Sequence, residues 1–184
     1  MNYSVRDKEF ADWEIAEQSS ASDWSREKPS RFWDPGRKLL RSIRDYQFNR
    51  ERTGPWPRIK CKFAVLRHRF WTVVTGAEIP LNCSIGGGLL IPHPNGIVIH
   101  PDAKIGANCL IFQQVTLGTR GDHGGVPVLE ENVDIGAGAK LLGPIHVGAF
   151  ARIGANALVI DDVPPRSVAI GVPARSSRIA SWPD

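Results

Sequence analysis

Beginning at Ile79, a bulky aliphatic residue returns at every sixth position. Ile79, Ile85, Ile91 and Ile97 are followed, after two extra residues, by Ile99, Ile105, Ile111 and Leu117, and after an intervening loop by Leu129, Ile135, Leu141, Val147, Ile153 and Val159. Glycine follows directly at Gly86, Gly106, Gly118, Gly136, Gly148 and Gly154, and four places after the aliphatic residue stands a mostly small or β-branched side chain, among them Cys83, Ala103, Cys109, Ala139 and Ala157. A period of six matches neither the 3.6 of a helix nor the simple alternation of a strand. It matches a parallel β-helix, in which each hexapeptide makes one short flat side and a turn, and stacking buries the aliphatic residues in a column. The glycines are expected to supply backbone freedom at the turns.

Upstream the period changes. Asp34 suits an N-cap and Pro35 a first helical turn, and Leu39, Leu40, Ile43 and Tyr46 or Gln47 follow at helical spacing, predicting a helix to about Arg52. Thr53-Gly54-Pro55 interrupts it. Ile59, Phe63, Leu66, Phe70 and Val73 then recur at intervals of three and four, marking a second amphipathic helix that stops at Gly76, with Arg58, Lys60, Lys62, Arg67 and Arg69 around the rest of its circumference. Residues 1–33, rich in Ser, Asp, Glu and Lys, bury little on their own and read as a tail, loose or packed on a neighbour. The expected organisation is a polar tail over 1–33, a helical segment over 34–76, a β-helix domain over 77–170 broken by a loop at 119–127, and a C-terminal tail over 171–184.

Charge changes this picture in one place. The 184-residue chain carries a net +4, yet Gly36 to Arg69 holds eleven Lys and Arg against two acids, a surplus of nine that leaves the remainder near −5. Such a surface reads first as a solvated face and second as a peripheral contact for an anionic membrane or another polyanion. Nucleic acid is not an expected partner. Three cysteines without a CxxC pair argue against a disulfide framework or a four-cysteine zinc site, and Cys83 and Cys109 fall at inward repeat positions as core filler. An N-terminal stretch with acids and no apolar h-region, and no long apolar window further on, predict a soluble, cytoplasmic protein.

From about Gly76 to Ile179 the sequence resembles the hexapeptide-repeat acyltransferases and, within them, the serine O-acetyltransferases. Besides the repeat, LIPHPNGIVI at Leu90–Ile99 looks like the family's catalytic segment, a histidine followed by two residues and Gly-Ile-Val, and GVPAR at Gly171–Arg175 looks like the segment that ends the family's coil. The resemblance implies a mainly β fold, a left-handed parallel β-helix of triangular section with three hexapeptides to a coil, preceded by a short α-helical segment. It also implies a homotrimer as the functional unit, with pairing of trimers left open, acetyl-CoA as co-substrate in a groove between neighbouring prisms, a place in cysteine biosynthesis and no metal.

On that resemblance His93 is the general base. Acetyl transfer to an alcohol needs one, because a hydroxyl is a poor nucleophile near neutral pH until its proton is removed, and imidazole titrates in the right range. Fifteen residues earlier, where the family has a helping aspartate, stands Glu78, a carboxylate to hold one imidazole nitrogen and stabilise the imidazolium. Gly118, Ala137 and Ala155 are small residues on later coils where backbone groups meet a pantetheine arm unobstructed, and Lys140 and Arg175 are candidate phosphate contacts. The loop GTRGDHGGVP, which breaks the repeat, supplies Arg120 and His123 as candidate acceptor contacts, arching over the site of a neighbouring subunit. His68 lies among the bases of the second helix, and His100 and His146 occupy outward, solvated positions.

Departures from the family bear on the acceptor. Serine acetyltransferases carry an aspartate directly before the histidine, where this chain has Pro92, and an Arg-His-Pro run after the loop, where it has Gly125-Val126-Pro127. A free amino acid needs partners for both its charges, so a sugar or polysaccharide-precursor hydroxyl stands as a rival to L-serine. The ending ASWPD lacks the isoleucine with which the family docks cysteine synthase, and that complex is not expected. A zinc hydratase on the same architecture would need three converging histidines, and the repeats hold no His-x4-His pair. A non-catalytic trimeric scaffold with a basic helical surface is the remaining alternative.

Overall fold

Two helices lead into a three-sided coil of short parallel strands in the computed structural model, which describes residues 21–121 and 124–178. Helix α1 runs Pro35–Arg50, where the Asp34 side chain accepts from the Arg37 N–H and Pro35 opens the first turn. Leu39, Leu40 and Ile43 are buried against the foot of the coil, and the Gln47 amide donates to the carbonyls of Leu81 and Cys83 at 3.1 and 2.9 Å. Helix α2 runs Pro55–Thr75 and ends on Gly76 in the left-handed region (φ 64°). Its inner side, with Ala64 buried and Trp71 half-buried, lies on α1 and the coil. The apolar stripe that revealed the helix does not: Ile59, Phe63, Leu66, Phe70 and Val73 all face outward.

Of the expected polar tail, residues 1–20 lie outside the described residues, as do 179–184 of the expected C-terminal tail. Trp24–Glu27 form a short 3-10 turn strapped to the first coil. The buried Glu27 carboxylate accepts from the N–H groups of Gly88 and Leu89 at 2.9 and 3.2 Å, while Arg44 grips it at 2.8 and 3.0 Å. A buried carboxylate is tolerated here because it is paired and fully bonded.

Among the described residues the strands are β1 Ser84–Ile85, β2 Val98–Ile99, β3 Lys104–Ile105, β4 Leu110–Ile111, β5 Thr116–Gly118, β6 Val128–Leu129, β7 Asp134–Ile135, β8 Lys140–Leu142, β9 His146–Val147, β10 Arg152–Ile153, β11 Leu158–Val159, β12 Ser167–Gly171 and β13 Ala174–Arg178. Pairing sorts them into three sheets: β2, β5, β8 and β11 on a first face, β1, β3, β6 and β9 on a second, β4, β7, β10 and β12 on a third. The chain visits the faces in turn. β13 turns back antiparallel on β12, so residues 174–178 of the expected C-terminal tail are a strand of the third face.

The register locates the irregularities. Thr116 stacks on Val98, a step of 18 residues, whereas Lys104 on Ser84 and Leu110 on Leu90 are steps of 20. The two extra residues therefore lie between Leu90 and Val98, in the corner that holds His93, and not after Ile97, which instead fills the small inward position beside Ile99. Of the fourteen periodic aliphatic residues all but the half-buried Ile85 are buried. Cys83 and Cys109 are buried among them, and loss of water pushes their thiols up to about 11 and about 12, so neither is a ready nucleophile.

At Gly86, Gly106, Gly136 and Gly148 the glycine after the aliphatic residue has a different cause from the one expected. A Cβ on Gly106 would lie 2.4 Å from the Glu130 backbone carbon, and one on Gly136 would lie 2.6 Å from the Ala155 nitrogen. These glycines let successive coils approach. The left-handed turn positions fall two residues later and are filled by Asn108, Asn132, Asn156 and Gly138, with φ between 56° and 76°. Asparagine tolerates that region better than most side chains.

Candidate active site

Where the third face turns into the first, successive coils stack their corners along one edge of the prism. His93 stands exposed in the lowest of these corners, the one lengthened by two residues and stiffened by Pro92 and Pro94. Backbone bonds fix it: Gly96 N–H to Gly76 O at 2.9 Å, Ile97 N–H to Pro94 O at 3.2 Å, and Gln114 N–H to Asn95 O at 2.9 Å. The imidazole stacks on Phe112 of the next corner, with centroids 6.4 Å apart and planes 24° from parallel. Above them come Ala137 and Ala155, linked through backbone bonds from Gly138 N–H to Gln113 O and from Asn156 N–H to Ala137 O, both 2.8 Å.

Two residues at this edge were missed in the sequence. Phe112 covers a face of the imidazole, and Gln113 carries a buried side-chain oxygen with no hydrogen-bond donor. A buried acceptor without a partner is uncommon. Both were within reach of repeat arithmetic, since the 20-residue step that stacks Leu110 on Leu90 sets Phe112 over Pro92 and Gln113 over His93.

The other candidates are distributed unevenly. Lys140 lies beside the same edge but is pinned, its ammonium donating to Gln114 O at 2.5 Å and Thr116 Oγ1 at 3.0 Å. Gly118 is on the first face, where its carbonyl accepts from Gly143 N–H at 2.9 Å, and Arg175 is exposed on β13 at the far end of the third face. Glu78 occupies the first rung of the first face, bonded through its backbone to Ile97 and Ile99, with an exposed side chain that forms no ion pair with His93. Among the described residues the imidazole is stacked on Phe112 and ion-paired to no carboxylate. Arg120 is exposed at the edge between the first and second faces, beside Gly143, so a whole face separates it from His93. His123 lies outside the described residues.

The remaining histidines are occupied elsewhere. His68 turns inward, 2.8 Å from the Ile79 carbonyl, rather than joining the bases on the surface of α2. His146 pairs with Glu130 at 2.9 Å, and His100 lies beside Asp102. Among the described residues no three His, Cys, Asp or Glu side chains come together as a metal ion would require.

Known proteins share this arrangement of helices and coil. The serine acetyltransferase of Mycobacterium tuberculosis is 42% identical over 122 residues, 65% of this chain and 53% of that protein. A soybean serine acetyltransferase complexed with serine superposes with a TM-score of 0.65 at 35% identity, covering 78% of this chain and 57% of the other. A serine acetyltransferase in complex with CoA gives 0.66 at 34% identity, covering 79% and 58%. Over this part the chain is similar to serine acetyltransferases. It spans about half the length of the curated relatives it matches, between 43% and 53% for the first three. No family model matches the chain.

Proposed function

We propose that the chain is an O-acetyltransferase that moves the acetyl group of acetyl-CoA directly to a hydroxyl, with His93 as general base. The observation that carries this reading is an exposed imidazole, unbonded at both ring nitrogens among the described residues, at the foot of an edge lined above by small residues. The acceptor oxygen attacks the thioester carbonyl as His93 takes its proton. The tetrahedral adduct collapses with cleavage of the C–S bond, and the imidazolium returns the proton to the departing sulfur. Stacking on Phe112 keeps the ring plane fixed and leaves its nitrogens for the acceptor.

The edge suits an extended thiol cofactor. Ala137 and Ala155 leave its surface low, and Gly118 lies across the first face from them. Lys140 and Arg175 supply positive charge toward phosphates, although Lys140 already spends two of its protons on the chain. His93 and Arg120 sit at different edges, so a site that uses both would draw Arg120 from another copy. The homotrimer of left-handed coils that the sequence resemblance implies would supply such a copy. Sedimentation at working concentration tests that assembly.

L-serine is the leading acceptor, and one observation favours a second reading: Pro92 and Gly125-Val126-Pro127 offer no charged side chain to an amino acid's ammonium or carboxylate. A sugar hydroxyl has no such need. CoA release measured with L-serine and with nucleotide sugars separates the two. In either case His93→Ala should lower turnover by about 10²- to 10⁴-fold with an unchanged circular dichroism spectrum. Undiminished turnover would overturn the reading, while a small loss in Glu78→Gln would exclude that carboxylate as the partner of the base.

A further inference from the structure

The outward face of α2 is the largest feature that acetyl transfer leaves unused. Trp56, Ile59, Phe63, Leu66, Phe70 and Val73 follow one another at steps of three and four, and all are exposed, Phe63 by 63% and Val73 by 82%. From Trp56 to Val73 this makes an apolar line about 26 Å long. At helical spacing Lys60 and Arg67 fall along one border of the line and Lys62 and Arg69 along the other. The helix contains five Lys and Arg and no Asp or Glu. Arg67 pairs with Asp45 of α1, and no ion pair is formed by Arg58, Lys60, Lys62 or Arg69 among the described residues. At its C-terminal end Trp71 meets both Phe70 and Trp33, at 5.0 and 5.7 Å between centroids, and Lys38 lies over Phe32 and Trp71. Phe32 and Trp33 extend the apolar surface beyond the helix, Phe32 with 90% of its area exposed.

We infer that this face docks on a membrane surface rich in anionic lipid, with α2 lying in the interfacial plane. Aromatic and aliphatic side chains in a single line, basic borders on both sides and no acids form the pattern by which a helix sinks its apolar face to the acyl boundary while its cations meet headgroups. The helix lies on the bilayer and does not cross it, since no helix among the described residues is long and apolar enough to span. Its other side is already committed to α1 and the coil, through the buried Ala64, the Arg67–Asp45 pair and the His68 contact with Ile79. Only half the cylinder is available, which suits a plane and not an acidic groove that encloses a helix. A second copy is a poorer occupant, because a twofold interface along the line would set unpaired cations against their own counterparts with no acid in the helix to offset them.

The test uses the full chain and vesicles of phosphatidylcholine with and without 30% phosphatidylglycerol. The wild type should float with the phosphatidylglycerol vesicles at low salt, fail to float with phosphatidylcholine alone, and dissociate as salt is raised. Replacing Lys60, Lys62 and Arg69 together by Gln should weaken binding by about a hundredfold, from roughly 1 kcal/mol for each basic residue near the surface. Phe63→Ser with Phe70→Ser should abolish it. All five side chains are exposed, so folding is retained, and CoA release on soluble substrates serves as the control. Absence of flotation at low salt overturns the proposal. So does full binding by the double serine variant, or a fall in the oligomeric mass of that variant while the wild type ignores vesicles, which would make the stripe an interface between copies.

Discussion

Leu117, Ile135 and Leu141 have no exposed side-chain surface inside the coil, whereas Phe63, Leu66 and Phe70, spaced just as regularly along α2, stand more than half exposed. The difference lies in closure. Three sides of a coil face one another, so every inward residue of the repeat is covered by the two other faces and by the coils above and below. A helix has one side to pack, and α2 presents to α1 the smaller and more polar residues, Ala64, His68 and Thr75, while its aliphatic and aromatic line points away. Regular spacing reveals which side chains travel together. It does not reveal what covers them.

The sharpest way to break this comparison is to truncate one residue from each line. Ile135→Ala should cost about 2–5 kcal/mol, because the column on either side cannot collapse into the gap. Phe63→Ala should change stability by no more than about 0.5 kcal/mol in vesicle-free buffer. Urea midpoints at matched protein concentration read both, and equal losses would mean that the α2 stripe is covered in solution.

A smaller effect tests how the coils stack. Gly106→Ala places a Cβ against the Glu130 backbone, where neither partner is a flexible side chain, and should cost about 1–3 kcal/mol as an overpacked contact. Asn132→Gly, at φ 56°, should be nearly neutral, because glycine enters the left-handed region without strain. The reverse ranking would return the conserved spacing of glycine in the repeat to turn freedom rather than to coil contact.

How far the sequence could be read follows the same division. The period of six located the inward column, and the local chemistry of Asp34 and Gly76 located the start of α1 and the end of α2. It misplaced the two-residue insertion, because Ile97 is aliphatic like its neighbours and only strand register shows which inward slot it fills. His93 was singled out by its motif. Phe112 and Gln113 carry no motif and come to notice only through the 20-residue step between coils, and the separation of Arg120 from His93 is a matter of which edge each occupies. The glycines were seen, but their cause was backbone approach between coils, a tertiary fact with no local signature.

The smallest effect concerns the outside of the coil, where the comparison predicts that charged pairs contribute little. Glu130 accepts from the His146 ring at 2.9 Å and from the Ala149 N–H at 2.6 Å, and these bonds, the histidine first, hold its carboxyl below the ordinary value of 4.5. A carboxylate lowered in the folded state stabilises fully above its unfolded value and loses that contribution as pH falls through the folded one. Both partners are more than one-third exposed, so screening should keep the contribution to about half a kcal/mol or less. Glu130→Gln should therefore lower the urea midpoint slightly at pH 7, and the gap between variant and wild type should close as pH is taken from 5 down to 3. A gap that stayed constant across that range would show that the pair acts through packing and not through charge, and the outer surface of the coil would then resemble its interior more than its exposure suggests.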